Sequence, residues 1–273
     1  MGGRRRDGRA RPRWAAPALL LAGALLATAC QPAPPAPPAP PSPAIRYPSF
    51  VPSAASTYRT AWLSHDGTDA YAVTATRTTT RVTAGRGNVG SDSRMLLWPR
   101  GPWPVADGET CATWTGRTGS LTQQGAALRI VQEGARVRAL TVTQNVWVNP
   151  FAFNIHTWDT SRSGAPQQTL AQFDMRATFF ADRPPLPWRL CARAQGATVE
   201  FKIWSGHEAE PVWGDPARGG RATVPPGFRA PGMFGWYAGH LGRGDHADLS
   251  ALGLWSFEAP PRSLLRDLAI PPS

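Results

Sequence analysis

The sequence lacks three patterns that would each point to a particular class of protein. No long stretch repeats apolar residues with the helical period of about 3.6, which argues against an α-helical domain. No G-x-S-x-G motif occurs, so the nucleophile turn of the serine hydrolases is absent. The basic residues beyond the first thirteen positions are scattered, which argues against a nucleic-acid-binding surface.

Lysine is also nearly missing, since Lys202 is the only lysine among the 29 basic residues. We attribute this preference for arginine to a high-GC coding bias. The formal net charge is +11, but residues 1–13 hold six arginines and one aspartate, so the rest of the chain carries +6. The sequence therefore predicts no nucleic-acid partner.

Residues 1–29 have the layout of a secretion signal. A basic start precedes an apolar stretch over residues 15–26, which is too short to span a bilayer comfortably, and small residues follow. The end of this segment, Leu-Ala-Thr-Ala-Cys, resembles the bacterial lipobox. The resemblance implies that Cys30 is lipidated and that the lipid attaches the protein to a membrane. An ordinary signal peptide with a chance cysteine is the alternative.

Residues 30–43 form a proline-rich tract that has no capacity to pack a core. In polyproline II form, at about 3.1 Å per residue, it would hold the following domain roughly 40 Å from the lipid. Two acyl chains on one cysteine suffice for stable attachment. We therefore predict a lipid-anchored protein on the extracytoplasmic face of the cell membrane, with this tract as its tether.

Export also bears on the two other cysteines. If Cys30 carries the lipid, Cys111 and Cys191 remain as an even pair in an oxidising compartment, and we predict that they form a disulfide. Two buried free thiols are the alternative.

From about residue 70 onward, short β-favouring segments alternate with Gly, Pro, Asn and Asp turns, as in a β-sandwich or barrel. Residues 44–68 show no clear periodicity and are expected to pack irregularly; one short helix is predicted at 263–269. We predict a single β-sandwich domain over residues 44–258 and a tail over 259–273. The predicted strands cover residues 70–84, 94–98, 110–115, 126–132, 137–146, 151–158, 170–180, 188–194, 198–204, 234–241 and 247–257.

Alternation is cleanest over residues 199–204. Val199, Phe201 and Ile203 fall on one face, which predicts that they enter the core. Glu200, Lys202 and Trp204 fall on the other face, which we expect to be exposed or to line a groove. Residues 189–193 precede this strand across Gln195-Gly196, which predicts a hairpin.

This hairpin, the Glu-Pro-Val-Trp sequence at 210–213 and the glycine-rich strand at 232–240 resemble the laminin-G-like branch of the concanavalin A-like lectin/glucanase proteins. The resemblance is strongest over residues 188–257. It implies an all-β, concanavalin A-like jelly-roll sandwich of antiparallel strands. Lectins, adhesion modules and glycan-cleaving enzymes share this fold, so function has to be argued from the site.

Glycosidases of this fold carry two carboxylates on one strand in an E-x-D-x-x-E pattern, and that pattern is absent here. Glu208 and Glu210 lie between Gly206 and Pro211 and are better explained as part of a solvated loop that Pro211 and Trp213 anchor. We therefore predict no catalytic residues and favour a non-catalytic protein over an enzyme.

Aspartates and histidines cluster near the end of the domain. Asp245 and Asp248 are weak candidates for binding Ca²⁺, the metal that many proteins of the resembled family bind. The alternative is that His240, His246 and both aspartates decorate a turn. No other cofactor is predicted.

Tryptophans offer the better functional signal, because sugars stack on exposed indole faces. We predict non-catalytic binding of a cell-envelope polysaccharide, and Trp204 is the first candidate for stacking. A glycan hydrolase or lyase without the standard motif, and an envelope scaffold that binds protein, are the alternatives. The predicted glycan-binding residues are Trp204, Glu200, Lys202, Trp213, Trp158 and His240, with Asn145 and Asn154 among the polar residues available to sugar hydroxyls.

Overall fold

A computed structural model describes residues 45–46 through their backbone and residues 57–89, 92–101, 103–147, 152–176 and 184–259. All of these belong to one compact unit, Pro41–Ser273. The predicted signal peptide, Cys30, the tether and the helix at 263–269 lie outside the described residues and remain predictions.

Most of the described residues belong to strands, and Pro226–Phe228 forms a 3-10 turn. No helix among them is long and apolar enough to cross a bilayer. The strands are β1 Ile45–Arg46, β2 Tyr58–Ser64, β3 Tyr71–Ala75, β4 Thr79–Ala84, β5 Arg94–Pro99, β6 Gly108–Arg117, β7 Gln123–Glu133, β8 Arg136–Gln144, β9 Ala152–Asp159, β10 Gln167–Asp174, β11 Trp188–Gln195, β12 Thr198–Ser205, β13 Gly219–Thr223, β14 Met233–Gly239 and β15 His246–Ser256.

Two antiparallel sheets make up the domain. The larger, sheet A, has the order β13-β12-β11-β6-β15-β4-β3, with β1 paired to β15. The smaller, sheet B, has the order β10-β9-β8-β7-β14-β5-β2. The predicted jelly-roll sandwich of antiparallel strands is confirmed.

The core lies between the sheets and is filled by alternate residues of each strand. Val199, Phe201 and Ile203 are buried in it, as their alternation predicts. Trp114, Trp188 and Trp236 are among its largest fully buried side chains. The faces of the two sheets that point away from this core are called outer face A and outer face B below.

Several strand boundaries differ from the prediction. The segment predicted as one strand over 70–84 is divided by a turn, in which the Thr76 hydroxyl accepts bonds from the backbone N–H groups of Thr78 and Thr79. Strand β2 lies in the region expected to be irregular; its burial does not alternate regularly, so its period is hidden in the sequence. Strand β13 was not predicted, because Gly219 and Gly220 weaken its β signal.

The predicted hairpin of β11 and β12 is confirmed, with Gly196 at a φ of 54°, in the left-handed region that favours glycine. The predicted disulfide is also present. Cys111 on β6 pairs directly across from Cys191 on β11, and their Cα atoms are 4.1 Å apart. This covalent link joins two central strands of sheet A on outer face A.

Candidate functional site

The Trp204 face is buried, so the expectation that it is exposed is wrong. Trp204 is 3% exposed, Glu200 6% and Lys202 5%. The loop between β12 and β13 covers them: the Lys202 Nζ donates to the carbonyl oxygen of Pro211 at 2.8 Å and pairs with Glu210 at 2.7 Å. The Trp213 ring completes the cover, since its centroid lies 4.6 Å from that same Nζ.

The charged groups beneath this loop satisfy one another. Arg193 pairs with Glu200 at 2.8 Å, and Arg221 reaches the other oxygen of Glu200 at 3.3 Å. The Arg193 guanidinium also lies 4.0 Å from the centroid of Trp213. Trp213 and Pro211 therefore anchor a loop, as predicted for the segment that holds Glu208 and Glu210.

Glu208 is likewise engaged within the loop, where it pairs with Arg218. The hydrogen bond from Arg218 lowers the pKa of the Glu208 carboxyl. A general acid needs a raised pKa, so the electrostatics give Glu208 no such role.

The two predicted calcium ligands already have protein partners. Arg81 makes two hydrogen bonds to the carboxylate of Asp248, at 2.6 and 2.8 Å. Asp245 accepts a bond from the backbone N–H of Gly242 at 3.1 Å, which fits a turn-stabilising role. Calcium binding by this pair stays a prediction, and it would compete with Arg81.

A polar groove lies on outer face B. It has a volume of about 150 Å³ and lies next to Arg94, the first residue of β5. Two of the predicted glycan-binding residues, Trp158 and His240, line it together, although they are far apart in the sequence. The lining residues are Arg94, Gln123, Thr143, Asn145, Trp147, Asn154, His156, Trp158, Gln167, Tyr237 and His240.

Strand alternation places these side chains in rows. Asn154, His156 and Trp158 are two residues apart along β9 and share a face. On β8, Thr143 lies directly opposite Asn154, and Thr141 lies directly opposite His156. The groove floor is therefore built on regular strands rather than on loops, which fixes the spacing of its polar groups.

Three polar atoms on this floor have no hydrogen-bond partner: Oδ1 of Asn154, Nδ1 of His156 and Oγ1 of Thr143. Their residues are 8%, 4% and 1% exposed, respectively. Buried polar groups are nearly always paired, and leaving one unpaired costs about 1–3 kcal/mol. Three such atoms together at one groove point to a ligand that supplies the missing bonds.

The ionisable groups of the floor are neutral near physiological pH. Burial, assisted by the charge of Arg94, lowers the pKa of His156 to about 4. Burial raises the pKa of the Tyr237 hydroxyl, which donates a hydrogen bond to Oε1 of Gln123. An uncharged imidazole and a neutral phenol suit the binding of hydroxyl groups.

The rim of the groove holds an exposed tryptophan and a charged pair. Trp147 is 56% exposed, and its indole N–H donates to Nε2 of His240 at 3.4 Å. The Arg94 guanidinium pairs with Asp92 at 2.8 Å and lies 5.7 Å from the centroid of the Trp158 ring. Trp158 itself is 2% exposed, so it supports the groove from within, whereas Trp147 offers an open face.

No carboxylate is among the described residues that line the groove. The pair of carboxylates that glycoside hydrolysis requires is therefore missing from this lining. The predicted glycan-binding residues did not include Arg94, Thr143 or Trp147. Alternation along β8 and β9 was a usable signal for Thr143, whereas the position of Arg94 follows only from the pairing of β5 with β14.

A second, larger depression of about 620 Å³ lies at the opposite end of β5. Its lining includes Arg59, Trp98, Arg100, Ile130 and Met233. None of the described residues that line it has an unpartnered buried polar atom. We therefore take the smaller groove as the functional candidate, despite its size.

No protein-family profile matches the chain, and no curated protein matches it. Among solved structures, the carbohydrate-binding module CBM66 from Bacillus subtilis is 12% identical with a TM-score of 0.45, over 73% of this chain and 96% of that one. The VIP36 exoplasmic/lumenal domain, in its Ca²⁺/Man3GlcNAc-bound form, is 16% identical with a TM-score of 0.46, over 80% and 92%. A β-1,3-1,4-glucanase (lichenase) from a mouse hindgut metagenome is 8% identical with a TM-score of 0.42, over 74% and 100%. Likeness at this level concerns the fold alone.

Proposed function

We propose that the protein is a membrane-anchored extracytoplasmic lipoprotein whose β-sandwich binds a glycan without cleaving it. The observation that carries the glycan-binding part of this proposal is the set of unpartnered polar atoms on Asn154, His156 and Thr143 in the groove of outer face B. Sugar hydroxyls both donate and accept hydrogen bonds, so one pyranose can satisfy all three atoms.

The rim supports the same conclusion. A sugar ring presents apolar C–H groups on one side, and the open face of Trp147 gives them a surface on which to stack. An apolar face beside a small number of fixed polar groups is the usual composition of a small-ligand site. The groove volume of about 150 Å³ suits one sugar unit, with the rest of a chain extending outside it.

The test is a screen of the full chain against an array of envelope and other polysaccharides, with and without Ca²⁺. Trp147→Ala should weaken binding of any ligand found several-fold or more, because it removes the exposed indole face on which the C–H groups of a sugar would stack. Trp213→Ala is the matched control: it removes a tryptophan from outer face A and should leave the affinity unchanged. If neither face matters, or if no glycan binds, the proposal fails.

Lipid anchoring needs a separate test. In a bacterial host, the full chain should fractionate with membranes and incorporate labelled palmitate, and Cys30→Ser should abolish both. Membrane association that survives this substitution would contradict the lipid anchor while leaving the glycan proposal intact.

The enzyme alternative makes a different prediction. A hydrolase or lyase would release shortened products from the bound polysaccharide, which size-exclusion chromatography detects. The lack of carboxylates among the described lining residues favours binding over hydrolysis. An envelope scaffold would instead bring down proteins and show no response to glycans.

A further inference from the structure

The groove has a positively charged lining residue and no negatively charged one among its described lining residues. Arg94 is its only cationic side chain among the described lining residues, and the same residues include no carboxylate. The Arg94 side chain is 16% exposed and is held in place: Nη1 donates to Oγ of Ser64 and to the carbonyl oxygen of Asp92, both at 2.8 Å. A largely buried guanidinium in a fixed position is a strong site for a carboxylate.

The carboxylate that Arg94 now holds belongs to Asp92, at the rim. Its Oδ1 is 2.8 Å from Nη2 of Arg94, and its side chain is 66% exposed. Because the Asp92 side chain is exposed, its carboxylate can turn into solvent and be hydrated there. A competing carboxylate that is also held by the groove floor would replace it.

The ring of His240 lies beside the same point. Its Nε2 accepts a hydrogen bond from the indole N–H of Trp147 at 3.4 Å. Its Nδ1 lies 3.8 Å from the same Oδ1 of Asp92. The Asp92 oxygen thus lies against the Arg94 guanidinium and beside the His240 ring.

We propose that the groove recognises a carboxylated sugar, whose carboxylate takes the place of Asp92 between Arg94 and His240. This inference rests on the glycan-binding function proposed above and names the chemical class of its ligand. In a hexuronate the carboxylate and the ring hydroxyls belong to one unit. The carboxylate would bind Arg94, and the hydroxyls would bind the unpartnered atoms of Asn154, His156 and Thr143.

The test compares charged and neutral forms of the same polymers. Polygalacturonate, polymannuronate and hyaluronan are each offered to the full chain beside a carboxyl-reduced form, which keeps the hydroxyls and loses the charge. We expect at least one acidic polymer to bind tenfold or more tightly than its reduced form, and this preference to weaken in high salt. Equal binding of both forms would overturn the carboxylate proposal and leave glycan binding standing. If none of the acidic polymers binds, the carboxylate proposal is overturned too. The array of envelope and other polysaccharides then tests glycan binding separately.

Two variants locate the effect. Arg94→Gln should abolish the preference for the acidic polymer, whereas Asp92→Asn should raise affinity several-fold, because it removes the internal competitor. Arg176→Gln is the matched control, since Arg176 forms an exposed pair with Asp174 and does not line the groove. Because Asp92 is exposed, its variant tests the proposal even if Arg94→Gln does not fold. An unchanged affinity in Asp92→Asn would count against the exchange of carboxylates.

Discussion

The two outer faces of the sandwich carry similar residues, but the polar groups are paired on outer face A and partly unpaired on outer face B. On outer face A, Arg193, Glu200 and Lys202 all find partners among themselves and in the loop that carries Trp213. On outer face B, Asn154, His156 and Thr143 keep buried polar atoms that no described group satisfies. Both faces combine tryptophan with polar side chains, so this combination does not identify a binding site. The unmet hydrogen bonds distinguish the two.

We interpret this difference as a division of roles, in which outer face A stabilises the fold and outer face B binds the ligand. A satisfied polar network stabilises the fold and leaves nothing for a ligand, whereas unsatisfied groups destabilise the fold and are retained where a ligand completes them. Changes on outer face A should therefore lower stability and spare binding. Changes to the unpartnered groups of outer face B should lower binding and spare stability.

The disulfide on outer face A should give the largest effect on stability. It closes a loop of 80 residues, for which the chain-entropy relation gives about 4.5 kcal/mol. We expect the double substitution Cys111→Ala/Cys191→Ala to lower the free energy of unfolding by about that amount in a urea titration. Glycan affinity of the folded fraction should not change, and a loss of affinity without a loss of stability would break the comparison.

The ion pair beneath the Trp213 loop comes next. Glu200→Ala leaves the buried Arg193 without its carboxylate partner, at a cost of about 3 kcal/mol. Glu200→Gln retains a hydrogen-bond acceptor and should cost less. Urea unfolding of both variants measures the difference. A Glu200→Ala protein that is stable but no longer binds glycan would show that the binding site lies on outer face A.

On outer face B, His156 should make stability depend on pH. Its pKa is about 4 in the folded protein against an ordinary 6.5, so the unfolded chain binds a proton first as the pH falls. The folded state should then lose up to about 3 kcal/mol between pH 6.5 and pH 4. Unfolding titrations across this range should show a shallower loss in His156→Gln than in the unsubstituted protein; parallel curves would assign the pH dependence elsewhere.

The smallest and sharpest test compares two threonines on the same face of β8. The Thr141 hydroxyl accepts the indole N–H of Trp158 at 3.0 Å, whereas the Thr143 hydroxyl has no partner. Thr141→Val should therefore cost about 1 kcal/mol, and Thr143→Val should be neutral or stabilising. Thr143→Val should nevertheless weaken glycan binding. Thermal melts paired with a binding titration distinguish these outcomes, and equal destabilisation by both would show that Thr143 is satisfied in solution.

The sequence was informative wherever local pattern decides the outcome. Alternation over residues 199–204 correctly predicted the core side of β12, and the even cysteine pair predicted the disulfide. The exposure of Trp204 could not be predicted, because it depends on the path of a loop whose anchoring contacts form only in the folded chain. The groove could not be predicted from the sequence for a similar reason, because Arg94 and Asn154 come from strands that are distant in the sequence.

The burial of Lys202 also has a practical consequence for chemical labelling. It carries the only side-chain amine of the protein, and that amine is enclosed by Pro211, Glu210 and Trp213. Amine-reactive dyes and coupling reagents will therefore find no accessible lysine on the folded domain. Acylation of Lys202 becomes instead a reporter of the loop's detachment, so its rate, followed by mass spectrometry, measures how often outer face A opens.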